Sequence, residues 1–203
     1  LIITVILADR DRTELSEMAL VIGAGLERGD AKEGGQEDWK LTVELAYKQQ
    51  NDSSGSRRIF SAHGGSWEEL KQELGRNMEK RPHWSNAVVL LLEDSVLEAG
   101  EGKSLLREIF LDPQVNGDLL LAVSEAEVSD LFSVVFGESN YLSAGLDQAL
   151  RLQAKEKGKQ PIRLFDYMER VLAMEEILPL PLVFLDAGEK ELACLRRESY
   201  VAH

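Results

Sequence analysis

Two glycine-containing segments have residue types that are found in phosphate-binding loops. Residues 98–104 end in Gly-Lys-Ser, as a nucleotide-binding loop does, but that loop needs a first glycine where this chain has Leu97. Residues 23–25 (Gly-Ala-Gly) lack the third glycine of a dinucleotide-binding turn, because position 28 is Arg28. We therefore predict a helix-start loop with Ser104 near the cap for the first segment, and close packing inside a strand for the second.

Nucleophilic and metal chemistry have little support in the residue types. Residues 63–66 (His-Gly-Gly-Ser) are similar to the oxyanion loop of some esterases, but no Gly-x-Ser-x-Gly segment supplies a nucleophile, so a turn and helix cap is predicted. Cys194 has only His203 nearby, which favours an inert thiol. His63, His83 and His203 are the only histidines, too few for a His-rich metal site. We expect no catalytic, cofactor-binding or metal-binding residue, and no enzyme.

The overall charge argues against nucleic acid. Among 203 residues there are 23 Lys and Arg against 36 Asp and Glu, a formal net charge of −13. Such a surface repels a phosphate backbone, and we expect no Lys/Arg stripe to interrupt it. The length and the 44% apolar content allow one good core or two small ones.

The first half of the chain predicts a β-hairpin with a third strand. Residues 17–26 are apolar with two glycines, and residues 39–47 alternate between apolar and more polar positions. That period of two predicts one buried face and one mostly exposed face, the latter with Lys40, Thr42, Glu44 and Ala46. Residues 58–62 form a short third strand.

The middle of the chain alternates helices with fully apolar strands. Ser66 and Glu69 form a capping box for an amphipathic helix over residues 66–80, which Arg81-Pro82 ends. Residues 87–92 and 118–124 contain continuous apolar runs, typical of strands covered on both faces, and helices are predicted at 103–111 and 126–132. The predicted fold is α/β: a mixed sheet, with an antiparallel hairpin and partly parallel strands, flanked by helices.

The last third predicts a mostly helical lead-in to a second domain. Helices are expected at 141–156 and 164–174, whereas residues 178–185 contain Pro179 and Pro181, which restrict them to an edge strand or an extended segment. We expect residues 11–136 to form an N-terminal α/β domain and residues 137–203 to begin a second, truncated one.

Residues 1–10 are expected to be a residual signal, anchor or linker segment. The first eight residues are almost wholly apolar, which suits either a β-strand or the tail of a secretory apolar region. The chain starts at Leu1, so upstream residues are expected.

The order of segments resembles a known family. Residues 11–26 (DRTELSEMALVIGAGL) are similar to the start of the mature C subunit of spore germinant receptors, the Ger(x)C (GerAC-like) lipoprotein family. There a lipobox cysteine precedes a Trp-Asp-Arg-Arg-Glu-like segment and a strand of the Ala-Ile-Val-x-Gly-x-Gly type. The strand at 40–47, the helix capped by Ser66, Ser85 before 87–92, residues 106–115 and residues 180–192 also resemble the family. The resemblance covers most of residues 11–192.

Two positions depart from the family pattern. Asp9, preceded by Leu7 and Ala8, occupies the position expected for the lipid-bearing cysteine and is not acylatable. Asn86 stands where a histidine is common in the family, directly after the serine that precedes the central strand.

The resemblance implies a non-enzymatic subunit on the outer face of the spore inner membrane. Its expected partners are a membrane-embedded transporter-like subunit, a partly soluble subunit, and the membrane surface through the N-terminus. The alternative is a nutrient-binding protein with a crevice at the carboxyl ends of the strands that finish at Leu92 and Val123. A filled sheet end with an exposed apolar patch elsewhere would favour the subunit hypothesis.

Overall fold

The structure is a computed structural model that describes residues 18–29, 38–47, 56–98, 100–134, 140–175 and 179–185, together with the backbone of 193–200. The predictions for residues 1–10, including Asp9, lie outside these residues, as do those for His203 and for the side chain of Cys194.

Eight strands and six α-helices are described. The strands are β1 (Met18–Arg28), β2 (Trp39–Tyr47), β3 (Ser56–Gly64), β4 (Arg81–His83), β5 (Val89–Glu93), β6 (Leu120–Ser124), β7 (Leu180–Leu185) and β8 (Ala193–Tyr200). The helices are α1 (Trp67–Arg76), α2 (Asp94–Glu98), α3 (Gly100–Leu111), α4 (Val128–Ser133), α5 (Leu142–Glu156) and α6 (Leu164–Ala173). A short 3-10 helix at Trp84–Asn86 precedes β5.

The strands form one mixed sheet in the order β3-β2-β1-β5-β6-β7-β8, and β4 pairs beside the start of β1. The β1–β2, β2–β3 and β7–β8 pairs are antiparallel. The β1–β5, β5–β6 and β6–β7 pairs are parallel. The predicted α/β fold, with an antiparallel hairpin that extends a partly parallel sheet, is therefore confirmed.

Helices cover both faces of the central strands, so the protein has two apolar cores. On one face, Leu90, Leu92, Leu121 and Val123 pack with apolar side chains of α1, α2, α3 and α6. On the other face, the alternate residues of the same strands pack under α4 and α5. Burial on both faces explains why β5 and β6 are continuous apolar runs rather than alternating ones.

The capped helix is confirmed, with two differences at its ends. Ser66 Oγ accepts a hydrogen bond from the Glu69 backbone N–H at 3.3 Å, as a capping residue should. Glu69 reaches back to the N–H of Gly65 rather than to that of Ser66. The helix ends at Arg76 and not at residue 80, because the chain turns at Asn77 to enter β4, a strand that the sequence reasoning missed.

Residues 100–104, which end in Gly-Lys-Ser, are helical, so the prediction of a loop with Ser104 near a helix cap is wrong. Ser104 lies within α3, and residues 94–98 form α2. Gly102 allows the two helices to pack closely, because a Cβ there would stand 2.0 Å from the carbonyl oxygen of Val96. The glycine therefore serves packing between helices.

The sequence predicts an edge strand or an extended segment for the proline-containing residues, and the edge position is wrong. β7 lies between β6 and β8, and its pairing with β8 is irregular between Pro181 and Val183. Such an irregularity lets a strand include a residue that lacks a backbone N–H. The expected domain boundary after residue 136 stays a prediction. Among the described residues that follow position 136, β7 belongs to the same sheet as β1–β6, and α5 and α6 pack on opposite faces of that sheet.

Candidate functional site

A buried carboxylate on β2 fixes the start of α5. Glu44 is fully buried, and its two oxygens accept the backbone N–H groups of Leu142 and Ser143 at 2.8 Å each. Those amides lack partners inside the helix, and the positive end of the helix dipole favours an anion there. Arg57 on β3 donates to the same carboxylate and to the carbonyl oxygen of Phe132, at 2.6 Å.

Burial of Glu44 corrects the expected exposed face of β2. Thr42 and Glu44 are both 0% exposed, whereas the alternation predicted that they face solvent. The approach of α5 depends on Gly23, which pairs with Glu44 in the sheet. A Cβ on Gly23 would stand 2.0 Å from Ser143 Oγ, which confirms the close packing predicted for this glycine.

A second carboxylate fixes α4 in a similar way. Glu27 Oε2 accepts the backbone N–H of Val128 at 2.7 Å, and its other oxygen lies 2.7 Å from Lys40 Nζ. Gly25 lies beneath the same helix, where a Cβ would be 1.9 Å from a Val128 methyl group. Strands β1, β2 and β3 thus carry two carboxylate–cation pairs, and each carboxylate accepts backbone N–H groups at the start of α4 or α5.

The carboxyl ends of β5 and β6 are filled. Leu92 and Val123 are buried, and Glu93 Oε2 accepts hydrogen bonds from the Arg28 backbone N–H at 2.8 Å and from Ser95 Oγ at 2.7 Å. Ser124 is buried and donates its hydroxyl to the carbonyl oxygen of Ala126. The polar groups at this sheet end are therefore partnered within the protein.

The described cavities lie at the opposite, amino end of the parallel strands. They surround the loop between α5 and α6. A cavity of about 430 Å³ is lined only by Arg151, Lys155, Gly158, Lys159, Gln160 and Pro161. An apolar slot of about 190 Å³ adjoins it, with Lys157 and Lys159 among its lining and Leu120, Leu150, Ile162 and Pro181 among its apolar residues. A wider cavity of about 760 Å³ extends along the start of α6.

A helix-ending motif holds the loop beside these cavities. Gly158 adopts a φ of +64°, the left-handed conformation that a glycine adopts without strain. The N–H of Lys159 donates to the carbonyl of Ala154 at 2.8 Å, as in a Schellman motif. The motif keeps Lys155 and Lys159 close to the carboxyl end of α5, where the helix dipole favours cations.

The expectation that no Lys/Arg stripe interrupts the acidic surface is wrong at this loop. Residues 151–163 (RLQAKEKGKQPIR) contain five cations and one acidic residue, Glu156. This cluster of cations can be read from the sequence, but a net charge of −13 for the whole chain does not reveal a local excess of Lys and Arg. Only the structure shows that several of these cations line adjoining cavities.

The wider cavity has cations that are already paired. Arg163 donates to Asp118 at 2.8 Å and to both oxygens of Asp166, at 2.7 and 2.8 Å. The hydrogen bonds from Arg163 hold the pKa of Asp166 below its usual value, although burial opposes this. Arg151 pairs with Asp147 one helical turn away, at 3.0 Å. Arg163 thus links the start of α6 to the loop before β6, whereas the pair made by Arg151 lies within α5.

Exposed apolar side chains occur on α3 and α6, two helices that pack against each other. Leu111 is 64% exposed, and Phe165 and Leu172, seven residues apart on one face of α6, are 46% and 50% exposed. The rings of Phe110 and Phe165 lie 6.1 Å apart and join the two helices. Met174, which follows α6, is 95% exposed.

Residues 11–183 match the family described as the spore germination protein N-terminal domain. The chain belongs to this family. A comparison with curated proteins and another with solved structures gave no match. The family places the chain in spore germination, as the N-terminal domain of a GerAC-like germinant receptor subunit, and proteins of this kind are generally not catalytic. The resemblance inferred from the order of the sequence segments is thereby confirmed.

Among the residues that the structure describes, no group of three or more His, Cys, Asp and Glu side chains is arranged to hold a metal ion. None of the described helices has the length and apolar character needed to cross a bilayer.

Proposed function

We propose that this chain acts as a non-enzymatic subunit of a spore nutrient-germinant receptor, through protein–protein contacts at the outer face of the spore inner membrane. The observation that carries the proposal is the family match over residues 11–183. Family membership suggests a receptor complex, and the resemblance implies a transporter-like membrane subunit and a partly soluble subunit as the partners.

Two features of the fold support contacts with proteins rather than binding of a nutrient. The carboxyl ends of β5 and β6, where open α/β sheets usually bind ligands, are filled by partnered groups such as Glu93 and Ser124. Exposed apolar side chains instead lie on α6, at Phe165 and Leu172, in a chain whose surface is strongly charged. Exposed apolar groups of this kind are typical of surfaces that pack against another protein.

Direct nutrient binding is the second candidate, and the wider cavity is the observation that favours it. Its volume of about 760 Å³ lies within the range of small-molecule sites, and both arginines and carboxylates line it. A zwitterionic amino acid would need those groups, but Arg163 already pairs with Asp118 and Asp166. Protein contacts are therefore the function that the geometry supports better.

Isothermal titration calorimetry separates the two candidates. Titration of the chain with amino acids and sugars should produce no binding heat. Micromolar binding of any of them would overturn the protein-contact proposal in favour of nutrient binding.

Co-purification tests the contact itself. The chain is co-expressed with the other receptor subunits, the complex is extracted with detergent, and the amount of this chain that co-purifies with the other subunits is measured. Leu172→Glu should reduce retention at least tenfold, because a buried carboxylate without a partner costs several kcal/mol. Ile59→Glu is the control, since Ile59 is 37% exposed but lies on β3, at the far edge of the sheet. Equal retention of the two variants would exclude α6 as the contact, and no retention of the unmodified chain would contradict the proposed function.

A further inference from the structure

We propose that the end of α5 and its loop form a docking surface for an anionic phospholipid bilayer. The surface, called here the basic loop surface, consists of Arg151, Leu152, Lys155, Lys157 and Lys159. The proposal rests on the proposed location of the chain at a membrane. It adds a contact made by the folded domain, distinct from any attachment through the N-terminus.

The charge distribution is the first argument. The chain carries a net charge of −13, yet the loop concentrates cations within nine residues, with Glu156 as the one acidic residue among them. An anionic membrane attracts the cations of this loop and repels the acidic surface of the rest of the protein. Both effects favour the orientation in which the loop faces the membrane.

The shape of the surface is the second argument. The cavity of about 430 Å³ has Arg151, Lys155 and Lys159 in its lining and no carboxylate. Lys155 and Lys159 are exposed, and within the described part of the chain neither forms a salt bridge. A site for one small ligand would surround it with fixed polar groups, whereas exposed lysines on flexible stems suit several phosphate headgroups at once.

Apolar groups beside the cations are the third argument. Leu152 is 57% exposed next to Arg151, and the apolar slot of about 190 Å³ opens beside Lys157 and Lys159. Membrane-surface segments combine apolar side chains at the depth of the headgroups with Lys and Arg around them. The slot is too small for a drug-sized ligand but is open to part of a lipid.

A bilayer fits this surface better than a nucleic acid does. A bilayer contacts one face of the protein, so the acidic faces stay in solution. The affinity of a nucleic acid depends on the number of phosphates that cations neutralise, and few cations are present here. A longer nucleic acid would also meet carboxylates of neighbouring elements, such as Asp118 and Glu169, which line the adjoining cavity with Arg151.

Vesicle co-sedimentation of the chain tests the proposal. The vesicles are phosphatidylcholine alone or phosphatidylcholine with about one-third phosphatidylglycerol, at salt concentrations of about 0.1 M and about 0.5 M. Binding is expected only with phosphatidylglycerol, and it should weaken at least tenfold at the higher salt concentration.

Two triple variants assign the binding to the loop. Lys155→Gln, Lys157→Gln and Lys159→Gln together should weaken binding by roughly 100-fold, because each lysine near an anionic surface contributes about fivefold. The matched control removes three exposed cations outside the surface, namely Arg76→Gln, Arg81→Gln and Arg107→Gln. It makes the same change in net charge and should stay within about twofold of the unmodified chain.

Several outcomes would overturn the proposal. Equal losses in the two variants would mean that net charge alone determines binding, and equal binding to phosphatidylcholine would remove the electrostatic basis. Release by millimolar inorganic phosphate would indicate a small-anion site, and stronger binding to a DNA duplex than to vesicles would indicate a nucleic-acid surface. The assay uses no other subunit, so its failure would leave the proposed subunit function standing, just as failed co-purification would leave lipid binding standing.

Discussion

Replacement of Glu44 by glutamine should destabilise the protein strongly although it changes few atoms. The carboxylate is fully buried and accepts two N–H groups from the start of α5 and one from Arg57. Glutamine keeps one acceptor oxygen but turns an NH2 group towards one of these donors. It also leaves the guanidinium without its counter-charge.

The size of the effect follows from those contacts. Removal of one partner of a buried ion pair costs about 3–5 kcal/mol, and hydrogen bonds to a charged group are worth about 1.5–3 kcal/mol each. The side chain of Arg57 is 18% exposed, so water compensates part of its lost pairing. We therefore expect the free energy of unfolding to fall by about 3 kcal/mol in Glu44→Gln, which lowers Tm by roughly 6–12 °C for a chain of this size.

Urea unfolding monitored by tryptophan fluorescence measures this loss, because Trp39, Trp67 and Trp84 are all buried. Glu73→Gln is the control: it breaks an exposed ion pair with Arg76 and should cost less than about 0.5 kcal/mol. A loss below about 1 kcal/mol in Glu44→Gln would refute the view that this carboxylate fixes α5.

Three further predictions test other parts of the fold. Burial of Asp112 opposes its ionisation, but hydrogen bonds, of which that from the Lys71 ammonium has the largest effect, hold its pKa below the usual value. The free energy of unfolding should therefore drop as the pH falls below about 4. The acid-unfolding curve of Asp112→Asn should be flatter in that range. Gly25→Ala should lower the free energy of unfolding, measured in urea, by about 1–3 kcal/mol, because the added methyl group would overlap Val128 of α4. Gly75→Ala is the matched change in open space, and it should raise the free energy of unfolding by about 0.5–1 kcal/mol. Met174→Gly should raise Tm by roughly 1–4 °C in a thermal scan, because Met174 holds a φ of +56° while almost fully exposed; an unchanged or lower Tm would contradict this.

Periodicity and capping were enough to predict most elements. The alternation from Trp39 to Tyr47 gave β2 with the bounds observed, and the serine at position 66 marked the start of α1. The apolar runs predicted β5 and β6 as strands covered on both faces. These signals are local, because they reflect backbone hydrogen bonds and side chains within one element.

The same local signals failed where a distant element decides the environment. A polar residue that alternates with apolar ones, such as Glu44, is expected to face solvent, but here it receives the amides of a helix 98 residues away. Pro181 suggested an edge strand, yet an irregular pairing with β8 allows it inside the sheet. The carboxyl end of β5, where the alternative hypothesis places a crevice, is filled because Arg28 and Ser95 both donate hydrogen bonds to Glu93.

The sequence by itself therefore determined the family, the α/β class, the hairpin and most of the strands and helices, since these follow from patterns within short segments. Only the tertiary structure decided which charges are buried, which sheet end is filled and which cations share a surface. Charge pairs such as Glu27 with Lys40, and cavities such as the one beside Lys155 and Lys159, depend on chain segments that meet only after folding.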